Sequence, residues 1–168
     1  MESRRLALVR HAKSSWADPD LVDRDRPLNA RGRRAAALVG QHLRDTGVQP
    51  DLAVCSTATR ARQTLELLSL PTTTDILIEE QLYGAQPDEL LARVRRIPAP
   101  VMSALLIGHN PGLEEFARML VGEPNALPEK FPTGAVADLR LPIRTWDDLA
   151  AGTGRLHTFV IPRQLHPK

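Results

Sequence analysis

Short apolar runs alternate along the chain with segments in which apolar residues recur every three or four positions. The short runs have the length and character of β-strands: Leu6–Val9, Leu52–Cys55, Ile76–Ile78, Ala104–Ile107, Ala135–Leu141 and Leu156–Ile161. The periodic segments predict helices that bury one face, marked by Ala36, Val39 and Leu43; by Ala61, Leu65 and Leu68; by Leu90, Leu91, Val94 and Ile97; and by Leu113, Phe116, Ala117 and Leu120.

Residues that typically begin or end helices support this division. Asn29 is a suitable N-cap for the first helix, and Gly47, Pro71 and Pro98 follow the first three helical segments. The repeated alternation predicts a three-layer α/β/α sandwich, in which a mostly parallel sheet carries helices on both faces. Because only a short region separates the last two strands, we expect an antiparallel neighbour among them. The stretch at residues 144–154 fits either a loop or a short helix.

Composition narrows the functional classes. A chain of 168 residues that is 42% hydrophobic suits one domain, residues 1–168, with a substantial core. The formal charge is +2, aromatic residues are 4%, and the arginines are scattered, a pattern that disfavours nucleic-acid binding. No window approaches the roughly 20 apolar residues of a membrane span, and Leu6–Val9 is too short for a signal-peptide core. We therefore expect a cytoplasmic protein with no membrane or nucleic-acid partner.

Residues suited to phosphate chemistry follow three of the predicted strands. Arg10 and His11 directly follow the first strand, Arg60 comes shortly after the second, and His109 shortly after the fourth. Ligands of open α/β sheets bind at the carboxyl ends of the strands, so we expect these side chains to converge. The guanidinium groups of arginine can donate two hydrogen bonds each to the oxygens of a phosphate. Nearby cations also disfavour the protonated form of a histidine, so that its ring stays neutral and can act as a nucleophile. The pattern predicts phosphoryl transfer without a metal or other cofactor.

Each of these residues also has an ordinary structural interpretation. A single histidine at a strand end is usually a satisfied polar group, and an arginine in a first helical turn is usually solvated or ion-paired. Their joint occurrence at one predicted edge is what favours a site. The remaining histidines have no carboxylate or cysteine at ligand spacing, and the only cysteine, Cys55, lies in an apolar run where packing is expected.

The motifs at the strand ends resemble the histidine phosphatase superfamily, also called phosphoglycerate mutase-like. Arg10-His11-Ala12 corresponds to the family's Arg-His-Gly, with alanine in the third place, which a backbone of negative φ accommodates. Residues 56–64 (Ser-Thr-Ala-Thr-Arg-Ala-Arg-Gln-Thr) and 108–111 (Gly-His-Asn-Pro) match two further motifs. The segments at residues 26–32 and 131–135 look most like the SixA-like phosphohistidine phosphatase branch. The resemblance covers roughly residues 5–140.

The resemblance implies a role for each core residue. His11 would be the nucleophile that becomes phosphorylated, and Arg10 and Arg60 would hold the phosphoryl oxygens. His109 would donate a hydrogen bond to the same group and stabilise the transition state.

Further candidates surround these four. Lys13 and Ser14 are close enough in sequence to contact phosphate, although a solvated loop is an equally good interpretation, and the backbone N–H of Asn110 would extend the pocket. Family members that act on alkyl phosphates carry an acid after the third strand, where this chain has Glu79 and Glu80. Glu80 is the candidate proton donor, with an exposed or paired carboxylate as the alternative.

Asp23 and Asp25 precede the segment at residues 26–32. We expect them to pair with Arg24 or Arg26, or to face water.

The functional prediction is a phosphatase that hydrolyses a phosphomonoester or phosphohistidine through a phospho-His11 intermediate. Its substrate is either a phosphorylated small molecule or a phosphohistidine protein. A small-metabolite phosphatase or mutase, and a non-catalytic phosphate-binding module, are the alternatives. The sequence does not determine the physiological substrate or the oligomeric state.

Overall fold

The computed structural model describes residues 3–123 and 125–167, and within them six strands and four helices form one mixed sheet and its two covering layers. The strands are β1 (Arg4–Arg10), β2 (Leu52–Ser56), β3 (Asp75–Glu79), β4 (Ser103–Gly108), β5 (Val136–Leu141) and β6 (Arg155–Val160). The helices are α1 (Ala30–Asp45), α2 (Thr59–Leu68), α3 (Pro87–Arg95) and α4 (Gly112–Val121).

The strand order in the sheet is β3-β2-β4-β1-β5-β6. The pairs β2–β3, β2–β4 and β1–β4 are parallel, whereas β1–β5 and β5–β6 are antiparallel. The prediction of a mostly parallel sheet with an antiparallel neighbour near the end of the chain is therefore confirmed. This order also places the carboxyl ends of β2, β4 and β1 side by side, although they are far apart in sequence.

Helices cover both faces of the sheet, as the alternating pattern predicts. Val39 of α1 and Leu65 of α2 belong to one buried cluster, and Val94 of α3 and Phe116 of α4 belong to the other. Burying a side chain of this size contributes roughly 2 kcal/mol. Successive strand residues point to opposite faces: Ala7, Val9, Leu105 and Ile107 enter the first cluster, and Leu6, Leu8, Ala104 and Leu106 enter the second.

The stretch at residues 144–154, which the pattern left unassigned, contains a short 3₁₀ turn at Trp146–Asp148. Trp146 is completely buried in the cluster beneath α3 and α4, and its indole Nε1–H donates to the carbonyl of Val101 at 2.7 Å. A buried tryptophan needs such an acceptor, so this residue has a packing role.

Close packing joins the start of α1 to the loop that follows β1. Asn29 caps the helix by accepting from the Gly32 N–H at 2.7 Å, as predicted. A Cβ on Gly32 would lie 2.1 Å from the carbonyl oxygen of Lys13, so only glycine permits this approach. The loop after His11 is thereby held against a rigid helix. In the part of the chain that the structure describes, no helix is long and apolar enough to cross a membrane.

Candidate active site

Three neighbouring strand ends bring His11, Arg60 and His109 into one cluster. His11 directly follows β1, Arg60 lies in the first turn of the helix that follows β2, and His109 directly follows β4. The Nε–H of Arg60 lies 3.4 Å from Nε2 of His11, and the two histidine rings are 5.0 Å apart between centroids. His11 and Arg60 are buried, with 7% and 5% of their surfaces exposed. The structure thus assembles the charged and imidazole groups that the strand-end pattern selected.

The ring of His11 has a defined tautomer. Its Nδ1 lies 2.7 Å from the carbonyl oxygen of Ala12, which can only accept, so Nδ1 carries the hydrogen and Nε2 keeps its lone pair. Burial lowers the pKa of His11 to about 3; the Ala12 hydrogen bond opposes this shift, and His109, Arg60 and Arg10 add to it. Burial thus contributes more than the guanidiniums to which the sequence argument attributed the effect. At neutral pH the ring is therefore uncharged, the state in which an imidazole is nucleophilic.

Thr64 ties the loop after His11 to α2. The Ala12 N–H donates to Thr64 Oγ1 at 3.0 Å, and Thr64 Oγ1 donates to the carbonyl of Arg60 at 2.8 Å. Ala12 is fully buried, and among the described non-glycine residues only Ser69 has a positive φ. The backbone at Ala12 therefore suits an alanine, as expected for this departure from Arg-His-Gly.

Ser56 orients the second histidine. Its Oγ accepts from the Ala58 N–H at 3.2 Å and lies 2.8 Å from Nε2 of His109, so the free hydroxyl hydrogen of Ser56 is available to that nitrogen. With Ser56 as the donor to Nε2, the His109 hydrogen lies on Nδ1, which is buried and has no hydrogen-bond partner among the described residues. Burial, followed by the Arg60 charge, lowers the pKa of His109 to about 4.

Arg10 is held by the loop that precedes β5. Its Nη1 donates to the carbonyl of Phe131 at 3.1 Å, and the side-chain amide of Asn110 donates to the same oxygen at 2.9 Å. Burial lowers the pKa of Arg10, Glu114 opposes this shift, and Arg60 adds to it. The contact that the structure shows for Asn110 is therefore made by its side chain, and the use of its backbone N–H stays a prediction.

Asp23 holds the outer edge of the Arg60 guanidinium. From a 3₁₀ turn at Asp23–Asp25, its carbonyl accepts from Nη1 at 2.7 Å and its Oδ2 accepts from Nη2 at 3.0 Å. Oδ1 pairs with Arg26 at 3.0 Å, one of the outcomes expected for this residue, and Oδ2 also accepts from the Tyr83 hydroxyl. Sequence reasoning missed the bond to Arg60, because no local signal relates positions that are 37 residues apart.

The comparison with known families agrees with this geometry. The sequence profile described as "Histidine phosphatase superfamily (branch 1)" matches residues 6–96. The chain belongs to the histidine phosphatase superfamily. An uncharacterized protein of Mycobacterium tuberculosis is 37% identical over 162 residues, which cover 92% of this chain and all of that protein.

Two solved structures share the fold closely. A structure named as a candidate phosphohistidine phosphatase SixA from Nakamurella multipartitia has a TM-score of 0.86 and 33% identity, and covers 96% of this chain and 98% of its own. A second one of that description, from Agrobacterium tumefaciens, has a TM-score of 0.80 and 33% identity over 95% and 99% of the two chains. These comparisons confirm the predicted fold, the resemblance to this family and its SixA-like branch, and phosphatase function.

Within this histidine phosphatase, Tyr83 forms one wall beside His109. The two rings meet edge to face with centroids 5.4 Å apart, and the guanidinium of Arg24 lies 4.9 Å from the Tyr83 centroid. Arg24 pairs with Glu80 at 2.6 Å, and the Glu80 side chain is 68% exposed. No described contact joins Glu80 to the four core side chains, and its role as proton donor stays a prediction.

Glu79, the last residue of β3, is engaged elsewhere. It binds Arg93 through two hydrogen bonds of 2.6 and 3.0 Å, and this contact is the main reason that the pKa of Glu79 is lowered. Glu79 therefore belongs to an ion pair with α3.

The contacts that the structure shows for Lys13 and Ser14 are not with the four core side chains. Ser14 Oγ accepts from Nη1 of Arg26 at 2.7 Å, and Lys13 lines a cleft of about 590 Å³ together with Arg31 and Lys130. A phosphate contact from either residue stays a prediction.

Among the described residues, no group of three histidine, cysteine or carboxylate side chains is placed to hold a metal ion. The free thiol of Cys55 is buried, and burial raises its pKa to about 12. A thiol of this kind is unreactive, in agreement with the expected packing role.

Proposed function

We propose that this chain is a phosphohistidine phosphatase that works through a covalent phospho-His11 intermediate. The observation that carries the proposal is the buried, neutral His11 ring, whose Nε2 lone pair faces the Nε–H of Arg60 at 3.4 Å. Such a nitrogen is a competent nucleophile, and the adjacent guanidinium is placed to receive the charge of the group that it attacks.

Two guanidiniums and one imidazole N–H bind the phosphoryl group in this proposal. Arg60 and Arg10 donate to its oxygens, and the burial of Arg60 and the partial burial of Arg10 strengthen these charge-assisted bonds. The His109 Nδ1–H, buried and without a described partner, gains an acceptor when an oxyanion binds. The positive charge that phosphoryl transfer requires thus comes from fixed side chains.

The reaction proceeds in two displacements at phosphorus. Nε2 of His11 uses its lone pair to form a bond to phosphorus, while the bond to the leaving group breaks and its electron pair departs with that group. Water then forms a bond to the phospho-His11 phosphorus and loses a proton to solvent. The N–P bond breaks, its electron pair returns to Nε2, and inorganic phosphate is released. Arg10 and Arg60 stabilise the phosphoryl oxygens in both steps.

The nature of the leaving group favours phosphohistidine as substrate. A protonated phosphohistidine releases neutral imidazole and needs little help from a protein acid, whereas an alkyl phosphate must shed an alkoxide. Neither Glu79 nor Glu80 contacts the core cluster in the described structure. The two structural neighbours at 33% identity are named as candidate phosphohistidine phosphatases, which supports the same substrate class.

Replacement of His11 tests the mechanism directly. We expect His11→Ala to lose hydrolysis of p-nitrophenyl phosphate and of a phosphohistidine peptide, and to give no acid-labile phosphoenzyme after quenching with labelled substrate. His157→Ala, which changes an exposed histidine on β6, is the matched control and should retain both activities. Wild-type turnover by His11→Ala would rule the mechanism out.

A substrate panel tests the assignment of substrate class. We expect the phosphohistidine peptide to be turned over faster than sugar phosphates and phosphoglycerates. Preference for a small metabolite, or dependence on a bisphosphate primer, would instead indicate a metabolite phosphatase or a mutase. Binding of phosphopeptide without any turnover would indicate a non-catalytic module.

We also propose that the chain forms one domain and acts in the cytoplasm on a phosphorylated protein. A single sheet that includes both β1 and β6, with a buried cluster on each face, supports the first point. An unpaired, buried thiol at Cys55 is compatible with a reducing compartment.

A further inference from the structure

Asp23 places a carboxylate beside the proposed reaction centre. Its Oδ2 accepts from Arg60 Nη2 at 3.0 Å and from the Tyr83 hydroxyl, while Oδ1 accepts from Arg26 Nη2 at 3.0 Å and Nε at 3.2 Å. Because the Nε of the same Arg60 faces His11, a single guanidinium separates the carboxylate from the nucleophilic nitrogen.

The carboxylate lies on the solvent side of that guanidinium. Half of the Asp23 side chain is exposed (50%), whereas His11 is only 7% exposed. In an in-line displacement the leaving group departs on the side of the phosphorus opposite His11, away from the buried imidazole and towards solvent. The half-exposed carboxylate of Asp23, which contacts Arg60 and also Tyr83 beside His109, is the anion that we infer the leaving group passes.

Asp23 is a fixed anion rather than a proton donor. The Tyr83 hydrogen bond, followed by those from Arg26 and Arg60, holds the pKa of Asp23 well below its usual range. The charge of Asp23 also acts inside the pocket, since it raises the pKa of His109 against the larger lowering caused by burial.

A fixed negative charge at this position distinguishes two kinds of leaving group. A phosphohistidine ring reacts in its protonated, cationic form; when the N–P bond breaks, the ring nitrogen keeps the electron pair and the ring leaves as neutral imidazole. A phosphate ester releases a phenolate or alkoxide, which builds up negative charge as the O–P bond breaks. A nearby anion favours the protonated ring and disfavours the developing oxyanion.

We propose that Asp23 is a specificity-determining residue, whose carboxylate favours phosphoramidate substrates over phosphate esters at the phospho-His11 site. The inference rests on the proposed function and adds a residue to it. Arg60 and Arg26 offset part of the Asp23 charge, and the side chain is half exposed, so the discrimination is modest.

Two substrates that share the phosphoryl group and differ in the leaving group test the proposal. The measurement is kcat/KM for N-phosphoimidazole divided by kcat/KM for p-nitrophenyl phosphate. We expect Asp23→Asn to lower this ratio about fivefold, because it removes one screened charge while keeping an oxygen acceptor for Arg60. Asp23→Ser, a second way to remove the charge, should lower the ratio in the same direction.

Matched variants distinguish the effect of the Asp23 charge on this ratio from the effect of the hydrogen bonds that Asp23 makes. Asp25→Asn makes the same charge change two residues away on the same exposed turn and should leave the ratio unchanged. Tyr83→Phe removes a hydrogen bond to Asp23 but keeps the carboxylate, and should also preserve the ratio. An equal loss on both substrates in Asp23→Asn and Asp23→Ser would show that Asp23 only holds Arg60 and would overturn the inference. No turnover of either substrate by the wild-type protein would overturn the proposed function itself.

Discussion

Ser56 Oγ lies 2.8 Å from Nε2 of His109, and this contact orients the histidine ring. Because Ser56 Oγ already accepts from the Ala58 N–H, its own hydrogen is available to His109. The histidine then presents Nδ1–H as a donor, in the neutral state that its lowered pKa maintains. A serine at the end of one strand thus orients the ring of a histidine that follows the neighbouring strand.

Removal of that hydroxyl should weaken catalysis. We expect Ser56→Ala to lower kcat about tenfold on p-nitrophenyl phosphate, the equivalent of one orienting hydrogen bond. Ser56→Thr, which keeps the hydroxyl, should restore most of the activity, and the thermal midpoint of each variant reports any change in folding. Full activity in a folded Ser56→Ala protein would show that the contact does not orient His109.

Thr64 should matter for both stability and activity. Thr64→Val keeps the side-chain shape but leaves the buried Ala12 N–H without its acceptor, which costs about 1–3 kcal/mol of unfolding free energy. Since Ala12 follows His11 directly, we also expect lower kcat. Urea denaturation and steady-state kinetics measure the two effects, and Thr64→Ser is the control that should retain both properties. An unchanged unfolding free energy in Thr64→Val would contradict the assignment.

The two buried histidines predict a specific pH dependence of stability. Their folded-state pKa values, about 3 for His11 and about 4 for His109, lie below the ordinary value of 6.5. The unfolded chain therefore binds more protons as the pH falls below 6.5, and stability present above that value is lost towards pH 4. Between pH 7 and pH 5 each ring should contribute about 1–2 kcal/mol to this loss.

Urea denaturation of the wild-type protein at pH 7 and pH 5 measures the change. His11→Gln removes one of the titrating rings and should show a smaller difference between the two pH values. A wild-type unfolding free energy that is the same at both pH values would contradict the expectation.

Glu80→Gln tests whether Glu80 donates a proton to the leaving group. The Glu80 carboxylate is exposed and paired with Arg24, and surface ion pairs of this kind contribute little. We expect Glu80→Gln to change kcat by no more than about twofold on a phosphohistidine peptide, whose leaving group is already protonated. Loss of tenfold or more on that substrate would identify Glu80 as the donor, and Glu79→Gln serves as the comparison at the neighbouring position.

Local patterns of apolar residues were sufficient to predict the strands and helices of the molecule. Apolar runs identify the strands because a strand buried on both faces needs consecutive apolar residues, as in Leu6–Val9, which lies within β1. Even Ile76–Ile78, at the edge of the sheet and 43–51% exposed, was recognisable as a strand from its composition. The rule that ligands bind at the carboxyl ends of strands then selected His11, Arg60 and His109 without coordinates.

The order of the elements and the two buried faces follow from the sequence alone, since they depend on residue types at short spacing, and the strand-end rule selected His11, Arg60 and His109 as a candidate cluster. The bond between Asp23 and Arg60, the contact between Ser56 and His109, and the larger effect of burial than of the guanidiniums on the pKa of His11 are visible only in the folded chain. These relationships are hydrogen bonds and solvent exclusion between segments distant along the chain. They depend on distances of a few ångströms, which residue spacing does not specify.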